Sequence, residues 1–146
     1  MKVGVLFSAR FDDPGELLAD ARAMEAAGVD SVWMEETGDG LDPTLALAAI
    51  AAVTSQLRLG LLHTKPLEPN RVATLQQLSR ERFIPPSSER WRRVDVPADR
   101  ESWARTLEEP HTDADGVIVP MDPRLLDILR HPDDAIDRSD LVLAQG

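Results

Sequence analysis

Polar side chains follow the ends of three short apolar segments in this sequence. Parallel α/β proteins place their functional groups at such points. The segments cover residues 2–7, 30–34 and 57–62. The side chains that follow them are Ser8, Arg10, Glu35, Glu36, Thr37, His63 and Thr64. Because the carboxyl ends of parallel strands share one edge of a sheet, we expect these groups to surround one site.

His63 and Glu36 are the candidate catalytic residues. A His side chain titrates near neutral pH and can act as a general acid or base. Adjacent strand residues point to opposite sides, so only one of Glu35 and Glu36 can face the site, and paired carboxylate chemistry is not expected. The alternatives are structural, since a lone His can cap a strand end and exposed Glu side chains are ordinary.

The composition excludes several classes of function. The 146 residues include no Cys, and the three His residues have no metal-ligand spacing, so neither a thiolate nucleophile nor a metal site is predicted. The net charge of −10 argues against general nucleic-acid binding, which needs a basic surface. No apolar segment is long enough to span a membrane, and residues 1–10 do not resemble a signal peptide. We therefore expect a cytoplasmic protein acting on a small molecule.

Strands and helices alternate along the chain. Asp13-Pro14, Asp42-Pro43 and Asp122-Pro123 each follow an apolar segment and have the residue types that begin helices, with Asp as N-cap and Pro in the first turn. Apolar segments at 115–119 and 140–144, with a charged strand-like segment at 90–96, bring the prediction to about five or six mainly parallel strands. The alternatives are an incomplete (β/α) TIM-barrel-like fold and a flavodoxin-like open sheet.

The length of the chain conflicts with a complete barrel. A (β/α)₈ barrel usually needs about 250 residues, whereas this chain has 146. The regular alternation breaks at Pro85-Pro86, after a strand that could begin at Phe83. We therefore predict a single truncated domain over residues 1–146, with regular βα units in 1–84 and a divergent part in 85–146.

Three stretches within residues 15–84 resemble the bacterial luciferase-like superfamily of flavin- and deazaflavin-dependent oxidoreductases, which are TIM barrels. They are Ala23–Met34, Asp42–Gly60 and Leu75–Ile84, and the second, a small-residue helix that leads into a strand, is the most recognisable. The resemblance covers roughly half of the chain. It favours the incomplete barrel and implies FMN or a deazaflavin coenzyme as the cofactor.

The resemblance also implies roles for the residues at the strand ends. Ser8, Arg10, Thr37 and Thr64 become candidates for cofactor binding, with Thr64 near the ring edge and Arg10 as a partner for an anionic group. His63 could donate a hydrogen bond to the ring. In this family the flavin phosphate is held mainly by the C-terminal half of the barrel.

Two functions follow from the resemblance. The first is a shortened luciferase-like oxidoreductase or monooxygenase, working as a homodimer that covers the open edge of its incomplete barrel. The alternative is a non-catalytic flavin-binding or accessory protein derived from the family. Trp91, flanked by Arg90 and Arg92, is predicted to anchor an interface.

Overall fold

The computed structural model describes residues 1–109 and 113–129. Its elements, in chain order, are β1 (Lys2–Phe7), α1 (Pro14–Ala26), β2 (Ser31–Glu35), α2 (Pro43–Val53), β3 (Arg58–Leu62), α3 (Pro69–Ser79), β4 (Trp91–Arg93), α4 (Arg100–Glu108), β5 (Gly116–Pro120) and α5 (Leu125–Leu129). The strand predicted at 140–144 lies outside the described residues. No helix in the described ranges is both long and apolar enough to cross a bilayer.

Asp side chains begin two of the helices as the sequence predicts. The Asp13 carboxylate accepts hydrogen bonds from the backbone N–H groups of Gly15 and Glu16, and Asp42 accepts one from Thr44 N–H at 2.9 Å. Pro14 and Pro43 occupy the first turn, where a backbone N–H would have no helical partner. These caps fix where the chain turns from each strand end into the next helix.

The five strands form one parallel sheet in the order β3-β2-β1-β5-β4. All carboxyl ends therefore lie at the same edge. Residues from all five helices pack with the apolar core on one face of the sheet, where Val5, Val32, Leu59 and Val117 are buried. A doubly wound sheet would have helices on both faces, whereas the described helices cover one face only. The described part is therefore a curled half-barrel, which confirms the prediction of an incomplete TIM-barrel-like fold.

Tryptophan fills the concave face of the sheet. Trp33 is 6% exposed and forms a second small cluster with Ile84 and Ile118. A methyl group at either neighbouring Gly4 or Gly60 would collide with its indole ring, so these two positions require glycine for packing reasons. The Trp33 indole N–H donates to the Ser31 hydroxyl at 2.9 Å, which satisfies both buried polar groups.

Trp91, which the sequence predicts to anchor an interface, packs on the same concave face. Its ring centroid lies 5.1 Å from that of Trp33, and Gly116 gives it room in the same way. Trp91 is half-buried there, and its role as an interface anchor stays a prediction.

The segment after α3 closes one side of the half-barrel. Phe83 forms an isolated parallel bridge with Leu59 of β3, and Ile84 N–H donates to the Leu59 carbonyl at 2.8 Å. The strand expected to begin at Phe83 is thus reduced to a bridge. Pro85, without an N–H group, ends the pairing there.

Two charged side chains hold the loop between α2 and β3. Glu25 of α1 accepts hydrogen bonds from the backbone N–H groups of Ser55, Gln56 and Leu57, at 3.0, 2.8 and 2.8 Å. Arg82 donates to the Ala51 carbonyl at 2.8 Å, at the C-terminal end of α2. Together they satisfy backbone groups that the helix and the strand leave unpaired.

Candidate functional site

A cavity of about 600 Å³ opens at the carboxyl ends of β1, β2 and β5, against the beginning of α1. Sites for small organic ligands have volumes of roughly 300–1,000 Å³. The cavity lies at the edge of a parallel sheet where α/β proteins bind ligands. It is therefore the candidate functional site.

Part of the cavity wall is apolar. This part consists of Leu6, Phe7, Ala9, Phe11, Leu17, Pro120 and Met121. Phe7 and Leu17 belong to the main core and are almost completely buried, so this part of the wall is rigid. An apolar wall of this kind can contact the faces of a planar ring and exclude water from it.

Polar groups on one rim are joined by hydrogen bonds. The Ser8 hydroxyl accepts a hydrogen bond from Arg10 N–H at 3.0 Å. The Arg10 guanidinium forms an ion pair with Asp39 at 2.8 Å, and the Thr37 hydroxyl donates to the same carboxylate at 2.7 Å. The Thr37 hydrogen bond, and then the charge of Arg10, hold the pKa of Asp39 below its usual value. The rim thus brings together three residues that the sequence singled out, Ser8, Arg10 and Thr37.

Of the two adjacent glutamates, Glu35 lines the cavity. Its carboxylate contacts Arg93 of β4 at 3.2 Å. Glu36 points away and forms an ion pair with Arg71 of α3 at 3.2 Å. The arrangement agrees with the expectation that only one of the two glutamates faces the site. The candidate chosen from the sequence is Glu36, whereas the residue that lines the cavity is Glu35. Strand alternation from the buried Trp33 would have selected Glu35.

His63 and Thr64 do not line the cavity. They follow β3, which is at the edge of the sheet, two strands from β1. The His63 ring is half-buried, and its Nδ1 lies 2.6 Å from the Lys65 carbonyl oxygen. Thr64 is exposed. The sequence placed both residues at the correct edge of the sheet, but not at the strands that surround the cavity.

Sequence reasoning missed an acidic wall on the α1 side. Asp12, Asp13, Glu16 and Asp20 all line the cavity. The available signal was spacing, since Glu16 and Asp20 stand four positions apart and therefore share one side of α1, while Asp12 directly precedes its N-cap. Asp13 is engaged as the N-cap of α1.

Comparisons with known proteins agree with this architecture. The family model for luciferase-like monooxygenase matches residues 1–85. The coenzyme F420-dependent tetrahydromethanopterin reductase from Methanopyrus kandleri is similar in structure, with a TM-score of 0.51 and 20% sequence identity.

That similarity covers 72% of this chain and 29% of the reductase. At this level of identity it supports the fold alone. No curated protein matches the sequence. Since the family model spans more than half of the chain, and the curled parallel sheet has the fold that the match implies, the chain belongs to the luciferase-like monooxygenase family.

Proposed function

We propose that this chain binds the ring system of a flavin or deazaflavin in the cavity and supports oxidoreduction of a small molecule. The observation that carries the proposal is the cavity itself, which combines an apolar part of its wall with polar groups at the carboxyl ends of β1, β2 and β5. Family membership supports the proposed cofactor class, because luciferase-like proteins generally use flavins or deazaflavins.

The residues around the cavity fit a ring but not a phosphate group. Phe7, Phe11 and Met121 offer apolar contacts, and the Ser8 and Thr37 hydroxyls can hydrogen-bond polar ring atoms. Arg10 is the one basic side chain in the described cavity lining, and Asp39 already pairs with it. The described lining therefore offers no free cation to a phosphate group.

The cofactor and the protein would therefore have different roles in the reaction. A bound flavin or deazaflavin would supply the redox chemistry, and the protein supplies orientation and electrostatics. Ser8 and Thr37 orient the ring edge, Phe11 and Met121 exclude water, and Glu35 places a carboxylate beside the site. His63, Glu36 and Thr64 stay as predicted site residues, and they can act only from outside the described cavity lining.

Fluorescence titration tests the proposal. Riboflavin and FMN would each be added to the purified chain at 1 M salt, where charge effects are screened, and quenching of ring fluorescence would be followed. Thr37→Val should weaken binding about fivefold, the effect of one hydrogen bond. Thr64→Val is the matched control outside the cavity and should leave affinity unchanged. If neither compound binds, the proposal is overturned.

A second candidate is a ring-binding protein without catalysis. It is favoured by the position of His63 and Glu36, both outside the described cavity lining. Reoxidation of reduced FMN by dioxygen distinguishes the two. A rate that the protein changes, and that Glu35→Gln alters, supports catalysis, whereas binding with an unchanged rate supports the second candidate.

A further inference from the structure

The charges around the cavity are unbalanced. Within residues 1–109 and 113–129, five carboxylates line it, from Asp12, Asp13, Glu16, Asp20 and Glu35, against the single guanidinium of Arg10. Two of these charged residues are paired, Arg10 with Asp39 at 2.8 Å and Glu35 with Arg93 at 3.2 Å. The negative charge of the α1 wall is therefore not offset by the rim.

Three carboxylates of this wall have no ion pair with the described residues. They belong to Asp12, Glu16 and Asp20. Glu16 and Asp20 stand four positions apart on α1 and therefore share one side of the helix. Both carboxylates line the cavity, so their charges act on whatever occupies it.

The N-terminus of α1 cannot offset this charge for an anionic ligand. A free helix N-terminus attracts anions through its backbone N–H groups and its dipole. Here the Asp13 side chain already accepts hydrogen bonds from Gly15 and Glu16 N–H, at 2.9 and 3.4 Å. The usual phosphate-binding feature of a strand-to-helix turn is therefore occupied by the protein's own carboxylate.

We infer that the cavity selects an uncharged, unphosphorylated ring ligand over its phosphorylated form. The inference rests on the proposed function, and it names the ligand class within it as a riboflavin-like molecule rather than FMN. The apolar walls favour the ring equally in both compounds. The acidic wall acts only on the phosphate, which carries close to two negative charges near neutral pH.

Riboflavin and FMN form a matched pair for the test, because they differ only in the phosphate. Affinities would be measured by fluorescence titration at 10 mM and at 1 M ionic strength, where the Debye lengths are about 30 and 3 Å. We expect riboflavin to bind more tightly than FMN at low salt, and the gap to close at high salt. Equal affinities at low salt, or tighter binding of FMN, would overturn the inference and leave the proposed function standing.

Variants that each remove one negative charge show which carboxylates weaken FMN binding. Glu16→Gln and Asp20→Asn should each raise FMN affinity at low salt about fourfold, the order of the Coulomb interaction between one carboxylate and a dianion in water. Neither should change riboflavin affinity. Glu81→Gln removes the same charge after α3, outside the cavity lining, and should leave both affinities unchanged. If neither compound binds at either salt concentration, the proposed function fails, and the inference fails with it.

Discussion

At the end of the sheet opposite the cavity, Glu89 joins two strands through their first residues. Its carboxylate contacts Arg58 of β3 at 2.6 Å and Lys2 of β1 at 3.2 Å. Arg58 also pairs with Asp30 at 2.9 Å. The hydrogen bonds from Arg58, assisted by Lys2, lower the pKa of Glu89 from about 4.5 to about 2. Ionised Glu89 therefore stabilises the fold.

This pKa shift predicts a pH dependence of stability. Because the pKa is lower in the folded state, the contribution is complete above about pH 4.5 and is lost as the pH falls toward about 2. Glu89→Gln should lower the free energy of unfolding by about 1–3 kcal/mol at pH 7. The difference from the wild type should shrink between pH 4.5 and 2 in thermal unfolding. Glu108→Gln, at an exposed position, is the control; a constant difference across the pH range would contradict the assignment.

Single residues of the site were only partly predictable. Ser8, Arg10 and Thr37 follow strands β1 and β2, and local sequence places them at the correct edge. The choice between Glu35 and Glu36 depends on which face of β2 is concave, and the buried Trp33 holds that information through alternation. The separation of His63 from the cavity depends on the strand order, which no local pattern contains.

At the scale of elements, the connection from α2 to β3 depends on side chains from distant positions. The Arg82 guanidinium donates to the carbonyls of Ala51, Thr54, Leu57 and Ser79, and to the Thr54 hydroxyl. Burial lowers the pKa of Arg82, while its planar fork of donors matches this set of acceptors. The Asp-Pro signals predicted where helices begin, but not this interaction, because it joins residues about 30 positions apart.

Arg82→Lys should therefore destabilise the fold although it keeps the charge. Lysine has a single donor group and cannot reach all five acceptors, so we expect a loss of about 1–3 kcal/mol in the free energy of unfolding. Urea unfolding followed by circular dichroism would measure it. Arg80→Lys, two residues earlier at an exposed position, should be neutral. Similar effects of both changes would show that the guanidinium contacts contribute little.

At the scale of the whole molecule, the described sheet has two edge strands, β3, which is bridged on its outer side only at Leu59, and β4. β4 has three residues, and Arg92 and Arg93 are exposed. Charged residues on an edge discourage pairing with another sheet. The homodimer expected from the open edge therefore stays a proposal. We propose that its interface lies on the helix layer instead, at the exposed apolar side chains of Leu45 in α2 (71% exposed) and Leu78 in α3 (55% exposed).

Size-exclusion chromatography with light scattering tests that proposal. We expect twice the chain mass of 16.1 kDa for the wild type. Leu45→Glu should shift the population toward the single-chain mass, because it places a charge on the surface that a second copy would cover. Ala26→Glu, at the exposed end of α1, should not. A wild-type chain that elutes as a monomer at high protein concentration rules out the homodimer.

The βα repeat and the family-like residues allowed the incomplete barrel to be predicted from the sequence. The position of β5 beside β1, with β4 outside it, could not be predicted in this way. It requires parallel pairing between residues more than one hundred positions apart, such as Val3 and Val117. Such contacts are specified by the packing of the whole chain rather than by any local signal.

The tryptophans make the two faces of the sheet optically distinguishable. The chain has three Trp and no Tyr, so near-ultraviolet excitation of its aromatic fluorescence reports on Trp alone. Trp33 and Trp91 lie together on the concave face, whereas Trp103 belongs to α4 and is buried in the main core on the other face. Replacing Trp103 with Phe leaves a probe of the concave face, and replacing the other two leaves a probe of the helix-covered core. The two layers can thus be followed separately during unfolding, without an added label.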